Sequence, residues 1–407
     1  MAELPLAGLR VTDLTWVLAG PLLTRILADF GAQVIKIESR AKMDGLRFYG
    51  PWQNNKKMPP ELGCGFYDLY NRNKLDLTLN LKNPKGVDIF KRLVKKSDVL
   101  AENFSARGMK KFGLEYPILK EINPQLIMIS MAGMGHTGVY KDYISFGPVL
   151  QALSGFSLLT GFPSKEPVGI GNSYPDHTAA THGAFAVLSA LEYRRRTGKG
   201  QYIDLSQHET AVVFLGTQIM NYAANKEIAQ RQGNRHPYAA PHGCYRCKGE
   251  DRWCVIAVFN NAEWHRLCDV IGIKDLRKDD RYASLENRMR NADQIDVIIE
   301  KWTINYFAEE VMQKMQKAGI ACGVVQNIED LMKNDPHLRN RRFYEDIEMP
   351  LGGKAAWEGM QFKLSKTPGS IRSAAPILGQ DNDYVLKEIL EMTPEEIEKY
   401  AEEGAFE

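Results

Sequence analysis

Asp176 is the side chain best placed for chemistry in this 407-residue chain. It stands in Asn172-Ser173-Tyr174-Pro175-Asp176-His177-Thr178, just after a proline. The run that follows, Ala179 to Leu191, reads as a long helix with small or apolar residues on nearly every face. Arg194-Arg195-Arg196 and then Gly198 close it, with cations in the last turn and a glycine stop. The spacing predicts Asp176 at the N-cap, its charge held by free backbone N–H groups and the helix dipole. A carboxylate held in that way stays ionised and can attack an acyl carbon. On spacing alone, a plain structural cap is the simpler reading.

Two other patterns bear on cofactors. The turn Leu14-Thr15-Trp16-Val17-Leu18-Ala19-Gly20 follows a short strand but is not GxGxxG, which speaks against NAD or FAD. Cys244-Tyr245-Arg246-Cys247 is one CxxC, with Cys254 and Cys268 downstream, whereas zinc knuckles come as two such pairs. The segment reads better as a hairpin from Gly243 to Cys247 and from Trp253 to Val258. No metal and no tightly bound cofactor are expected.

The elements that must position Asp176 follow from periodicity. Leu9 to Asp13, Gln33 to Glu38, Asp76 to Leu81, Val99 to Glu102, Pro124 to Ser130 and Ile203 to Leu205 are short extended runs. Helices from Pro21 to Phe30 and from Lys85 to Lys96 alternate with them. That alternation predicts an α/β fold, a parallel sheet covered by helices on both faces. Glu209 to Asn225 reads as one long helix, and the polar stretch Lys226 to Arg235 as a boundary. Residues 1–225 then form a large α/β domain, 226–325 a smaller α+β domain, and 326–407 a segment returning to the first. Within the second, helices are expected at Ala262–Ile271, Asn291–Phe307 and Ala308–Ala318, and a strand from Gly319 to Val325 leading back to the first. Thr393-Pro394-Glu395-Glu396 caps a charged terminal helix.

Composition narrows the function classes. With 52 Lys and Arg against 50 Asp and Glu the net charge is +2, which favours neither nucleic acid nor an acidic tail. The opening Met1-Ala2-Glu3-Leu4-Pro5-Leu6 lacks the basic and apolar regions of a signal peptide. No apolar run approaches the roughly 20 residues of a membrane span. Six cysteines scattered through a large chain do not make a disulfide framework. The expectation is a soluble, cytoplasmic protein that binds neither membrane nor nucleic acid.

Several separated runs resemble the class III CoA-transferase family, the group of formyl-CoA transferase and the carnitine CoA-transferases. They are Asp13 to Pro21, Gly31 to Glu38, Asn71-Arg72-Asn73-Lys74, Ser97 to Phe104 and Ala152-Leu153-Ser154-Gly155. The Asp176 segment, Arg196 to Ser206, Gly319 to Val325 and Asp335-Pro336-His337-Leu338 continue the match in order along almost the whole chain. The resemblance implies a large Rossmann-like domain plus a smaller one, in two chains threaded through each other as an interlocked dimer. The partner would be a second copy or a related subunit. It implies that Asp176 attacks a donor acyl-CoA and carries CoA as an aspartyl thioester to an acceptor acid. Backbone N–H groups near Val17, Leu18 and Ala19 would stabilise the oxyanion and hold CoA. Arg40 and Lys111 would stand near CoA phosphates, Leu79 and Lys82 beside the adenine, and Asn103-Phe104 along the pantetheine. Without the family, Lys82 and Lys111 are ordinary surface charge, and Leu79 and Phe104 ordinary core.

Departures from the family pattern bear on the substrate. His236-Pro237-Tyr238-Ala239-Ala240-Pro241 replaces the glycine-rich loop of formyl-CoA transferase, and Leu18 replaces a glutamine. Both changes favour a larger, less polar acid, with the benzylsuccinate CoA-transferase subunits as the closest branch and succinyl-CoA as donor. The racemase branch of the same fold needs a His-Asp pair where this chain has Phe146-Gly147, so it lacks the proton-moving base. A subunit of a heteromeric CoA-transferase is the other alternative.

Overall fold

The computed structural model describes residues 4–52, 56–349 and 353–407; Met1-Ala2-Glu3, read above for a signal peptide, lies outside them. The chain divides into two units. The first comprises the described residues up to Phe156, Gly169–Glu227 and those from Arg339 onward; the second comprises Ser157–Val168 and Ile228–Leu338.

The first unit is built on six parallel strands: β1 (Arg10–Leu14), β2 (Gln33–Glu38), β3 (Lys74–Thr78), β4 (Val99–Glu102), β5 (Ile127–Ser130) and β6 (Gln201–Asp204). Their spatial order is β3-β2-β1-β4-β5-β6, the doubly wound arrangement. Alternate side chains feed two cores. Val11, Val34, Val99 and Ile127 pack against helices Ala19–Asp29 and Tyr174–Thr197 on one face. Ile35, Ile37, Leu77, Leu100 and Met128 pack against Pro84–Lys95 and the C-terminal residues Val385, Leu386 and Tyr400 on the other. Gly183 lets the two helices of the first face close up, because a Cβ there would lie 2.4 Å from the Leu23 side chain. The residues after Arg339 are stitched to β3, where Asp381 accepts from Asp76 N at 2.9 Å. In the terminal helix Pro394–Glu402 the Thr393 hydroxyl accepts from Glu396 N at 3.2 Å.

Two expectations need correction here. The run Glu209 to Asn225 is not one helix: Gln207–Val212 and Gly216–Asn225 are separated by a 3₁₀ turn at Val213–Leu215. The run near Gly319 does not lead back to the first unit. Its strand β9 (Ala321–Val324) pairs antiparallel with β8 (Trp253–Ala257), which pairs with β7 (His242–Arg246), completing a small three-stranded sheet. A strand with an open neighbour edge satisfies its backbone there first. Helices Asn261–Ile271, Ala292–Thr303 and Ala308–Lys317 belong to the same unit, and their side chains bury Trp264, Ile299 and Met315 with the sheet's Cys254 and Ile256. Among the described residues no His, Cys, Asp and Glu side chains are grouped as metal ligands would be, and no helix is long and apolar enough to cross a membrane.

Candidate active site

The strand order reverses between β1 and β4, and in such sheets ligands bind outside the carboxyl ends at that point. Two loops leave the sheet there, Thr15-Trp16-Val17 after β1 and Asn103-Phe104 after β4. Asn103 ties them together. Its Oδ1 accepts from Trp16 N at 2.8 Å, and its Nδ2 donates to Trp16 O at 2.7 Å. The Trp16 and Phe104 rings meet edge to face at 5.8 Å.

Beside them opens a groove of about 1040 Å³ that includes Trp16, Leu79, Lys82, Phe104 and Lys111 in its lining. Four predicted contacts, Leu79, Lys82, Phe104 and Lys111, are thus brought to one surface. Leu79 is both floor and core, being 1% exposed. Lys42 and Lys91, which the resemblance had not singled out, add two cations to the lining. A cationic groove with an aromatic and aliphatic wall suits a ligand with phosphates at one end and an apolar arm. Arg40 is exposed between Ser39 and Ala41, both of which line the groove, without itself lining it.

The Val17-Leu18-Ala19 turn is arranged differently from the expectation in two respects. The Val17 N–H already donates to the Asp44 carboxylate, at 3.1 and 3.3 Å. The Leu18 side chain is buried in the core with Leu22 and Leu23, and Leu18 and Ala19 lie beside the groove without lining it, at 5% and 1% exposure. Leu18 is the N-cap of helix Ala19–Asp29 without a side-chain cap, and among the described residues the N–H groups of Leu18 and Ala19 have no acceptor. Two adjacent free amides at a helix N-terminus are the donors an oxyanion or phosphate needs.

Asp176 lies in the first turn of helix Tyr174–Thr197, but Ser173 is the N-cap, so Asp176 is the third helical residue. Pro175 in front of it has no N–H to leave unsatisfied, which is why the helix starts cleanly there. The main-chain N–H of Asp176 donates to Ser173 O at 3.2 Å. Ser173 holds the N-cap position, with no side-chain cap hydrogen bond, so the Asp176 carboxylate is not the structural cap. Burial pushes its pKa up to about 6, while the neighbouring His177 and its own N–H pull it back. His177 Nδ1 lies 2.9 Å from Ser173 O, and its ring meets that of Tyr70 at 6.2 Å. The Tyr70 phenol is held neutral, its pKa pushed up to about 12 by burial, with Asp176 adding to the shift. Gly147 makes the room: a Cβ there would lie 2.7 Å from both Asp176 Oδ2 and Ser173 Oγ. Tyr70 carries no local sequence signal, whereas Gly147 stands where the racemase branch has its His-Asp pair; the packing of separate helices brings both to Asp176. Of the other imidazoles, His136 is engaged with Tyr202 OH at 3.0 Å and Phe104 O at 3.3 Å.

A carboxyl whose pKa is pushed up to about 6 is mostly ionised only above that pH. Any reaction that uses its anion should rise with pH through about 6 and level off above it. A pH profile of kcat/KM checks this; an acid limb near pH 4 would mean the carboxylate is not desolvated in the free enzyme.

A model of CoA-transferase family III matches residues 6–382. The succinyl-CoA–D-citramalate CoA-transferase of Chloroflexus aurantiacus is 33% identical over 393 residues, covering 97% of this chain and 96% of that one. The beta subunit of the succinyl-CoA–L-malate CoA-transferase of the same organism is 34% identical over 398 residues, covering 97% and 96%. The crystal structure of a CAIB/BAIF family protein from Brucella suis superposes with a TM-score of 0.86 at 32% identity, covering 95% of this chain and 100% of that one. The chain belongs to CoA-transferase family III and is a CoA-transferase.

Proposed function

We propose that the chain moves CoA from succinyl-CoA, or a similar acyl-CoA, to a dicarboxylic acid through an aspartyl-CoA thioester on Asp176. The observation that carries this reading is a partly buried carboxylate in the first turn of a helix, its Oδ2 packed so closely against Gly147 that no side chain would fit there. The Asp176 oxygen attacks the donor's acyl carbon and expels CoA thiolate, giving a mixed anhydride. The thiolate attacks the Asp176 carbonyl carbon, releases the donor acid and leaves the thioester. The acceptor carboxylate then reverses both steps and regenerates the Asp176 carboxylate. Covalent catalysis divides one difficult exchange into easier ones. The free amides of Leu18 and Ala19 are suited to the oxyanions. Lys82 and Lys111, with Arg40 at the rim, are suited to CoA phosphates. Leu79 suits the adenine, and Asn103-Phe104 the pantetheine.

The acceptor class rests on the relatives, whose acceptors are named as D-citramalate and L-malate. The burial of Leu18 removes its side chain as an argument for an apolar acceptor. The His236–Pro241 loop still distinguishes this chain from formyl-CoA transferase, so benzylsuccinate stays in the acceptor class as its aryl-substituted member. Incubating the protein with succinyl-CoA and malate, citramalate, glutarate, benzylsuccinate, oxalate or formate, and identifying new thioesters by mass spectrometry, tests the reading. The dicarboxylic acids of four or more carbons should be converted. Efficient turnover of formyl-CoA and oxalate alone would move the enzyme to the formyl-CoA branch.

A second chain is part of this reading, as a homodimer or with a related subunit. Phe185 at 72% and Met220 at 73% exposure lie on helices Tyr174–Thr197 and Gly216–Asn225, with Val139 and Ile144 each at 88% on a loop. Large apolar side chains this exposed support a covering partner. The relative named as a beta subunit supports the heteromeric form.

A further inference from the structure

We infer that Asp44 is a positioning residue of the transfer reaction, its carboxylate holding the Thr15-Trp16-Val17 turn in the one conformation that leaves the Leu18 and Ala19 amides free. The inference rests on the proposed role of those two amides.

Val17 has φ 67, a left-handed conformation that a β-branched residue does not hold unaided. The turn is held by side chains from outside it. Thr15 N donates to Asp13 Oδ1 at 2.8 Å, Trp16 N to Asn103 Oδ1 at 2.8 Å, and Val17 N to Asp44 at 3.1 and 3.3 Å. Each of three consecutive amides therefore has its own carboxylate or carboxamide. Asp44 meets the residue that bears the unfavourable torsion.

Asp44 is itself pinned. Its Oδ1 accepts from Leu46 N at 3.0 Å, and its own N–H donates to Glu38 Oε2 at 2.8 Å. Glu38 is in turn paired with Arg47 at 2.8 Å. Lys36 Nζ closes the clamp, donating to Asp44 Oδ2 at 3.0 Å and to Thr15 O at 2.8 Å, so one ammonium fixes both the acceptor and the carbonyl side of the turn. Lys36, Asp44, Glu38 and Arg47 are all within 2% of full burial. Buried ion pairs are poor stabilisers compared with apolar residues of the same volume. Their concentration beneath one strained turn, at the point where the strand order reverses, fits the fixing of that turn's geometry better than stability alone.

The test combines Asp44→Asn, Val17→Gly and the double variant. Asparagine keeps the shape and one acceptor but loses the charge that Lys36 and two amides share. In the folded Asp44→Asn protein kcat should fall about 10²-fold, the scale for a misplacement of about 1 Å, with KM for acyl-CoA changed only a few-fold. Glycine reaches positive φ without strain, so in the Val17→Gly background the same substitution should cost several-fold less. A folded Asp44→Asn enzyme with wild-type kcat overturns the inference, as does an equal loss in both backgrounds. Site-resolved hydrogen exchange on the wild-type protein decides the matter even if Asp44→Asn does not fold: the Val17 amide should be protected and those of Leu18 and Ala19 should not, becoming so on addition of acyl-CoA. An unprotected Val17 amide overturns the inference. A wild-type protein that transfers no CoA would instead sink the proposed function while leaving the Val17 result standing.

Discussion

Asp176→Asn is expected to abolish CoA transfer while leaving the protein at least as stable as the wild type. The rate should fall by more than about 10³-fold, because the amide oxygen is a poor nucleophile and no neighbouring carboxylate replaces it. Stability moves the other way. The carboxyl has its pKa raised from 3.8 to about 6 by burial, so folding penalises its ionised form. A raised folded pKa means that this group's favourable contribution is complete below about 4 and is lost as pH rises through about 6. Above that, ionised Asp176 costs at most about 3 kcal/mol, at 1.36 kcal/mol per pKa unit, and less for the exposure that remains. The cap is Ser173, so the substitution removes no cap. Thermal melts at pH 7.5 and pH 4.5 should show the variant's advantage at the higher pH only. Mass spectrometry after hydroxylamine treatment should find the adduct on Asp176 in the wild type and nowhere in the variant. A variant that transfers CoA at near the wild-type rate would mean another group is the nucleophile.

Gly147→Ala should cost about 10²-fold in activity with little loss of stability. The new methyl would lie 2.7 Å from Asp176 Oδ2 and from Ser173 Oγ, and 3.0 Å from Ser173 Cβ, which is closer than real Cβ contacts allow. The nearest atoms are the ends of flexible side chains, so the fold can yield by moving them. Moving the carboxylate is what catalysis cannot tolerate: a shift of about 1 Å is enough for about a 10²-fold loss. Gly147 begins a helix and needs no positive φ, so alanine is sterically allowed in its backbone. We expect kcat to fall about 10²-fold, the melting temperature to change by a few degrees at most, and CoA affinity to be nearly unchanged. Wild-type kcat in this variant would show that the Asp176 carboxylate does not react from this position.

Much of the fold was legible because its signals are local. Apolar strands and amphipathic helices alternate through the first two hundred residues, and a parallel sheet needs helices on both faces. Arg194 to Gly198 end a helix through backbone chemistry that no distant residue can alter. Asp176 could likewise be picked out by its place after Pro175 at a helix start, and the hairpin from His242 to Ala257 by its turn residues. For the strand after Gly319 a distant partner decided. The strand after Gly319 follows the edge of β8, which is offered by residues far earlier in the chain. Glu209 to Asn225 has helical composition throughout but breaks at Val213–Leu215. The reactive properties of the site belong to the same class. An aspartate's place in the sequence says nothing of the burial that lifts Asp176 to about 6, of the space at Gly147, or of Asp44 taking up the Val17 amide. Periodicity and capping act over a few residues along the chain, so the sequence by itself determined most of the elements and, through the family resemblance, marked Asp176 as the candidate nucleophile. Desolvation and close contact act between segments that only the packed sheet brings together, so the carboxylate's acidity, its close fit against Gly147 and the free amides were decided by the tertiary structure.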